Sequence, residues 1–242
     1  VKLAIAIPTY NEAADIRTLL ESIHDHLSHV SNVQTTVFII DDNSPDGTAD
    51  IVRDVARVRK AKNFDIVVIT RKEKDGLGRA YIFGFSEILK TEPDYIMQMD
   101  ADLSHNPIYL PLFIKAAEQH DLIVGSRYVA GGATPDSSAV RKLASRGGNL
   151  YARLILGNKI TDYTNGFNMY SADLLRQVNP STIQSTGYGF LIELKFRALQ
   201  HAQSVYQIPI VFHIRHHGKS KLPKATIFKN LLLVPLIKFR NR

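Results

Sequence analysis

The sequence predicts an α/β fold, a mostly parallel sheet flanked by helices on both faces and followed by a C-terminal amphipathic helix. Three observations point there. Short apolar runs alternate with segments of helical period from residue 1 to about 125. The connections between them are short, as right-handed βαβ crossovers require. The polar residues with chemical potential cluster where the apolar runs end, which is where open parallel sheets bind ligands.

Lys2–Ile7 is an apolar strand. Ile16, Leu19, Leu20, Ile23 and Leu27 follow at the i, i+3, i+4 spacing of one helix face. Val37–Ile40 forms strand two. Ser44, Pro45 and Asp46 supply an N-cap, a first-turn proline and a first-turn acid for a helix that buries Ile51, Val52, Val55 and Val58. Ile66–Ile69 is strand three, and the helix after Gly78 carries Ala80, Phe85, Ile88 and Leu89. Ile96–Met99 is strand four, with Asn106-Pro107 opening a helix that presents Leu110, Phe113, Ile114 and Ala117. Leu122–Val124 is strand five. Beyond Gly125 the pattern loosens. Residues 128–142 are rich in Gly, Ser and Pro and read as a mobile loop. A helix over Leu143–Leu156, a strand over Gly166–Tyr170, a helix over Phe190–Leu199 and strand structure over Ser204–Ile214 complete the expected body. Residues 1–242 make one domain, divided into a ligand-binding half (1–127), a second half (128–223) and a terminal helix (224–242).

The 242 residues are 45% hydrophobic and 22% charged, ordinary for a globular domain. The absence of cysteine excludes disulfides and thiolate metal sites. No run approaches the roughly 18 apolar residues that span a bilayer, and the chain enters its first strand without a signal pattern. Val1 in place of Met marks processing or a fragment, and the final Phe239-Arg240-Asn241-Arg242 leaves room for a membrane segment beyond it. The net charge of +7 is unevenly spread. Eight Lys/Arg and no acid lie from residue 203 onward, against 22 basic and 23 acidic residues before it. Basic charge beside Ile227, Phe228 and Leu231–Ile237 suits an anionic membrane surface; a helix packed on the body with solvated lysines fits as well. Nucleic acid is not an expected partner, because the tail offers few rings for stacking, Phe212, Phe228 and Phe239 among them, and no recognition module.

The most telling residues are Asp100 and Asp102, at the end of strand four. Two acids there repel one another unless a cation sits between them. A divalent metal shared with a diphosphate explains them, since hard cations prefer oxygen ligands; solvated loop acids would leave the same local pattern. At the end of strand one, Pro8-Thr9-Tyr10-Asn11-Glu12 offers a ring for a nucleobase and a carboxylate for base or ribose, with a capped turn as the plainer reading. The proline is expected to end the ladder there. At the end of strand two, Asp41 and Asp42 cannot both point the same way, so one caps and the other faces the cleft. Asp75-Gly76-Leu77-Gly78 resembles the start of a dinucleotide fingerprint, but Tyr81 stands where the third glycine belongs and the motif follows strand three, which rejects NAD. Its glycines let a helix start close to the nucleotide or the sheet.

In this order, together with Gly125-Ser126-Arg127-Tyr128, Arg141-Lys142 and the late Arg215 to Lys221 segment, the motifs resemble the GT-A nucleotide-sugar glycosyltransferases of family 2. Among these the resemblance is to the polyprenol- (dolichol-) phosphate mannose synthases, and it covers nearly the whole chain. It implies a GT-A type fold and transfer of mannose from GDP-mannose to a polyprenyl monophosphate; a UDP-sugar-dependent relative making polyprenyl-phosphate glucose stays open, and a non-catalytic binding module is the reading from another class. It also implies Mg²⁺ or Mn²⁺ at Asp100 and Asp102, with Ser104 an indirect ligand. Pro8, Tyr10, Glu12, Ile40 and Asp42 are implied for the nucleoside pocket, and Asp100, Ala101 and Asp102 for the diphosphate strand end. Arg127, Arg215 and Lys221 are the implied cations for the diphosphate and the approaching acceptor phosphate, with Asp102, Arg127 and Arg215 as the catalytic set. Arg141, Ser145 and Arg127 are implied for the lipid phosphate, and residues 162–167 resemble a family motif that the extra Asn165 blurs. The implied setting is the cytosolic face of a membrane, the endoplasmic reticulum in a eukaryote or the plasma membrane in a prokaryote, with small membrane-anchoring subunits as partners.

A lipid monophosphate, with a second pKa of about 6, is largely dianionic at neutral pH and is already a nucleophile. The site then needs cations to bring two anions together rather than a base, and His105, His213, His216 and His217 read as scaffold or solvated side chains.

Overall fold

The computed structural model describes residues 1–213 and 224–241. Seven strands form one sheet in the order β3-β2-β1-β4-β6-β5-β7. They are β1 (Lys2–Thr9), β2 (Gln34–Asp41), β3 (Phe64–Thr70), β4 (Tyr95–Gln98), β5 (Leu122–Ser126), β6 (Asn168–Ser171) and β7 (Val205–Pro209). β1, β2, β3 and β4 are mutually parallel, β5 and β7 pair in parallel, and β6 runs antiparallel to both β4 and β5. From β1 the chain runs outward through β2 and β3 and then returns to the other side of β1 as β4. That reversal opens a crevice at the carboxyl ends of β1 and β4, the switch point where open sheets hold ligands.

Alternate residues of each strand face opposite layers. Ile5, Ile7, Val37, Ile39, Met97 and Met99 pack with α1 (Ile16–Leu27), α2 (Thr48–Arg59) and α4 (Leu110–Ala117). Ala4, Ala6, Phe38, Ile40 and Ile96 pack beneath α3 (Leu77–Leu89) and α7 (Tyr188–His201), with α5 (Ala139–Leu156), α6 (Ala172–Val178) and α8 (Lys224–Arg240) completing that layer. Each fully buried Ile, Val or Met side chain among them stabilises by about 1.5–3 kcal/mol. Glycine enables the closest approaches: a Cβ at Gly84 would lie 2.8 Å from Ile40, and one at Gly78 would lie 2.9 Å from Phe190. Gly78 therefore serves helix packing.

Several expectations need correction. α2 begins at Thr48 behind Gly47 at φ 84°, not at a Ser44 cap; Ser44 instead bonds Asp41 and the Asn11 amide. Val58 is 78% exposed. It lies roughly a quarter turn from the centre of the Thr48–Val52–Val55 face, at 100° per residue. Pro8 does not end β1, which continues to Thr9 in register with Asp41. Residues 139–142 are helical, since Ser138 caps α5 by accepting the Arg141 amide, so the expected loop is shorter. α8 is apolar on two sides: Val234 and Ile237 are buried, while Leu232, Leu236 and Phe239 are exposed. Among the described residues no helix is long and apolar enough to cross a membrane.

Candidate active site at the carboxyl ends of the strands

At the end of β1, Tyr10 is partly buried and the Lys74 ammonium sits 3.9 Å from its ring centroid. The Glu12 amide donates to Thr48 Oγ1, which fixes the turn. The two acids at the end of β2, Asp41 as its last residue and Asp42 just past it, divide as their alternation requires. Asp41 accepts from Thr9 Oγ1 and from the Ser44 amide and hydroxyl, holding the turn from within. Asp42 meets Arg71 at 2.6 Å, and Arg71 also pairs with Asp75. Burial raises the Asp42 carboxyl above its ordinary pKa, with Arg71 opposing. Arg71 was not singled out by sequence; its position one residue past β3 was the available signal. Ile40 is fully buried against Gly84, so its side chain belongs to the core and only its backbone can border a nucleoside.

Past β4, the Met99 amide bonds Ala6 and the chain turns through Asp100, Ala101 and Asp102. Leu103 adopts φ 61°, a left-handed conformation that turns the chain past the two acids. Asp102 is 5% exposed and accepts the Ser104 amide at 3.1 Å; the Asp100 side chain is 28% exposed and accepts from Tyr81 OH at 3.2 Å. Ala101 is buried and offers only backbone. His105 lies beneath, stacked on Phe167 at 4.8 Å between ring centroids. Its Nδ1 accepts the Asp100 amide at 2.9 Å, so Nε2 carries the hydrogen and donates to Asn165 Oδ1 at 3.1 Å. The ring is neutral, with both nitrogens engaged, and is scaffold. His213 bonds Asp136 at 2.9 Å; His216 and His217 lie outside the described residues.

The oxygen-only donors fit a hard divalent cation. Ser104 Oγ adds a buried oxygen with no hydrogen-bond partner among the described residues. No group of three or more acidic or histidine ligands occurs among those residues.

Across the crevice, Arg127 follows β5. Its Nε and Nη2 grip Asp162 at 2.7 and 2.8 Å, and Nη2 also reaches Thr164. Asp162 is fully buried and accepts the amides of Arg127, Thr164 and Asn165; burial favours its neutral form, but the Arg127 guanidinium, the Lys195 charge and the Arg127 amide outweigh that and lower its pKa. Asn165, unexplained in the sequence, is a hub: its amide donates to Asp162, Nδ2 to the Gly125 carbonyl, and Oδ1 accepts from His105. Arg127, Arg146 and Arg153 line an open cleft of about 490 Å³ with Leu150 and residues 128–132. Arg146, Asn149 and Arg153 recur at helical spacing on α5, a signal present in the sequence but not used. Ser145 is tied to Tyr128 OH at 2.6 Å, and Arg141 is exposed in the first turn of α5; neither lines the cleft itself. Arg215 and Lys221 lie outside the described residues.

With this geometry in place, the comparisons with known proteins are consistent. A mannosyl-3-phosphoglycerate synthase from Rubrobacter xylanophilus superposes with a TM-score of 0.70 at 15% identity, covering 99% of this chain and 73% of that one. A glucosyl-3-phosphoglycerate synthase from Mycobacterium tuberculosis, solved with Mn²⁺, UDP-glucose and glycerol 3-phosphate, gives 0.68 at 18% identity, covering 99% and 79%. The fold is of the GT-A type, that of the nucleotide-diphospho-sugar transferases.

The family model for Glycosyl transferase family 2 matches residues 4–178, and the chain belongs to that family. An undecaprenyl-phosphate mannosyltransferase from Micrococcus luteus is 38% identical over 222 residues, covering 92% of this chain and 88% of its own. A polyprenol monophosphomannose synthase from Mycolicibacterium smegmatis is 34% identical over 239 residues, covering 98% and 87%.

Proposed function

We propose that this protein transfers mannose from GDP-mannose to a polyprenyl (dolichyl) monophosphate, giving polyprenyl-phosphate β-mannose and GDP with inversion at the anomeric carbon. The observation that carries it is the arginine-lined cleft with Leu150 on its wall, following β5 of the sheet whose β4 ends in Asp100 and Asp102, in a chain 34–38% identical to two polyprenyl-phosphate mannosyltransferases.

Asp102 and Asp100, with Ser104 Oγ nearby, would hold Mg²⁺ or Mn²⁺, which when bound supplies Lewis-acid stabilisation of the leaving diphosphate. Tyr10 stacks the nucleobase and Asp42 accepts its N–H edge, held in place by Arg71. An acceptor phosphate oxygen attacks the anomeric carbon in line, and the bond to the diphosphate breaks. Arg127, Arg141, Arg146 and Arg153 offset the repulsion between the two anions, and guanidinium forks suit phosphate oxygens bidentately. Arg215 and Lys221 join them on the diphosphate. No base is required, which agrees with a neutral His105 engaged at both nitrogens.

The acceptor places the reaction at a membrane surface, at its cytosolic face, with anchoring subunits as further partners. α5 supports this placement. Val140, Leu143, Gly147, Leu150 and Leu154 are all exposed and recur at intervals of three and four along one face. Arg141, Lys142, Arg146 and Arg153 flank that stripe, and α8, packed against α5, adds exposed Leu232, Leu236 and Phe239. Exposed apolar residues beside basic charge suit an anionic lipid surface.

The test is incubation with radiolabelled GDP-mannose or UDP-glucose, a short polyprenyl phosphate and Mg²⁺, followed by organic extraction. Label is expected in the lipid phase from GDP-mannose alone. Label from UDP-glucose alone would select the glucosyl reading, and none from either would remove the catalytic one.

A further inference from the structure

We infer that Lys195 is a positioning residue that offsets the charge of Asp162, so that Arg127 presents net positive charge to an anion in the cleft. The inference rests on the phosphate-binding role given to Arg127 above.

A fully buried lysine is rare, because an unpaired ammonium is costly to remove from water. Lys195 is 0% exposed on α7, and its Nζ donates to the carbonyl of Asn165, three residues after Asp162. Its charged neighbours among the described residues are Asp162, Arg127 and Asp100. On its own helix, Glu193 is engaged by Arg197 at 2.6 Å and by Ser185, and His105 is neutral.

The charges then explain the arrangement. Arg127 and Asp162 form a bidentate pair whose charges cancel, and a cancelled guanidinium attracts a phosphate weakly. A second cation shared by Asp162 restores one net positive charge to the group. Lys195 supplies it from beneath, where it cannot touch the substrate. Asp162 is thereby free to anchor the turn through the amides of Arg127, Thr164 and Asn165 without silencing Arg127. Burial lowers the Lys195 pKa to about 7, with Asp162 opposing, so this charge is present below neutrality and is withdrawn above it.

Sulfate binding, followed by NMR titration, tests this without turnover, because sulfate does not titrate between pH 6 and 9. Lys195→Met fills the space without charge, and Lys195→Gln keeps a donor for the Asn165 carbonyl. Both are expected to bind sulfate about tenfold more weakly at pH 6.5, the effect of one unit charge at intermediate protein dielectric. Wild-type affinity should fall as pH rises through about 7, and that fall should be absent in both variants. In an Arg127→Met background neither substitution should weaken binding further. Wild-type affinity in Lys195→Gln, or an unchanged pH profile in either variant, overturns the inference. If Arg127→Met itself leaves sulfate binding unaltered, it is the phosphate role of Arg127 that fails. Should Lys195→Met not fold, Lys195→Gln carries the test.

Discussion

Removing the Arg71 guanidinium exposes the energetics of the nucleobase end of the site. Arg71 and Asp42 have side chains only 11% and 7% exposed and meet at 2.6 Å. Arg71→Met leaves Asp42 with no cation in a setting that already raises its pKa. Breaking a buried pair by removing one partner costs about 3–5 kcal/mol. Asp75, the second partner, is half exposed, so the lower end, about 3 kcal/mol, is expected. At about 2–4 °C per kcal/mol for a chain of this size, that is a fall in Tm of about 6–12 °C. The sign with pH follows from linkage. A carboxyl whose folded pKa lies above its unfolded value binds more protons in the native state, so stability declines as pH rises through that interval. Arg71→Met removes an influence that lowers the Asp42 pKa, so the deficit should be largest at pH 8 and shrink towards pH 4 as the carboxyl takes up its proton. Loss of a charged hydrogen bond to the base should also weaken GDP binding about tenfold. Calorimetry at both pH values and a GDP titration measure this. A fall in Tm of equal size at pH 4 and pH 8 would refute the role given to the pair.

Three further outcomes are expected. Tyr10→Ala removes a base-stacking contact of about 1–3 kcal/mol and should raise the GDP Kd about 5- to 150-fold while leaving the acceptor KM unchanged, as a GDP titration and steady-state kinetics will tell. The double variant Leu143→Glu/Leu154→Glu places two acids on residues 74% and 77% exposed. It should lose flotation with anionic vesicles while keeping its melting temperature; retained flotation contradicts the lipid-facing assignment of α5. Between about pH 7 and 10.5, native Lys195 has released a proton that the unfolded chain retains, so wild-type stability should rise relative to Lys195→Met, by at most about 4 kcal/mol. Denaturant unfolding at pH 7 and pH 9.5 checks this, and a constant difference contradicts a buried, deprotonating lysine.

The parallel half of the fold was legible because both periods are clean there: Ile5, Ile7, Val37 and Ile39 alternate, and Ile16, Leu19, Leu20 and Ile23 keep helical spacing. The strand-end acids were legible for the same reason, since a strand whose end is known fixes where the next carboxylate stands. What escaped was chemistry made by distant segments. Asn165 reaches His105 across 60 residues and Lys195 reaches Asn165 across 30, and no local period encodes either contact. Lys195 was hidden because a lysine in an apolar helix reads as a solvated residue, and only α7 seated over the turn at 162–167 shows it buried. Ile40 shows the opposite case: it lies two residues before Asp42 in sequence, but its side chain is buried in the core against Gly84, which leaves its backbone to border the crevice. Val58 shows the limit of spacing alone, because an i+3 step at the edge of a face can leave it.

The most direct measurement is Mn²⁺ binding followed by electron paramagnetic resonance, with and without GDP, in wild type and Asp102→Asn. A cation shared between the acidic tip of β4 and a nucleoside diphosphate requires Mn²⁺ to bind weakly alone, at least tenfold more tightly with GDP, the coupling of about 1.4 kcal/mol a shared ligand supplies, and hardly at all in Asp102→Asn. Mn²⁺ affinity indifferent to GDP, or unaltered in Asp102→Asn, would contradict it.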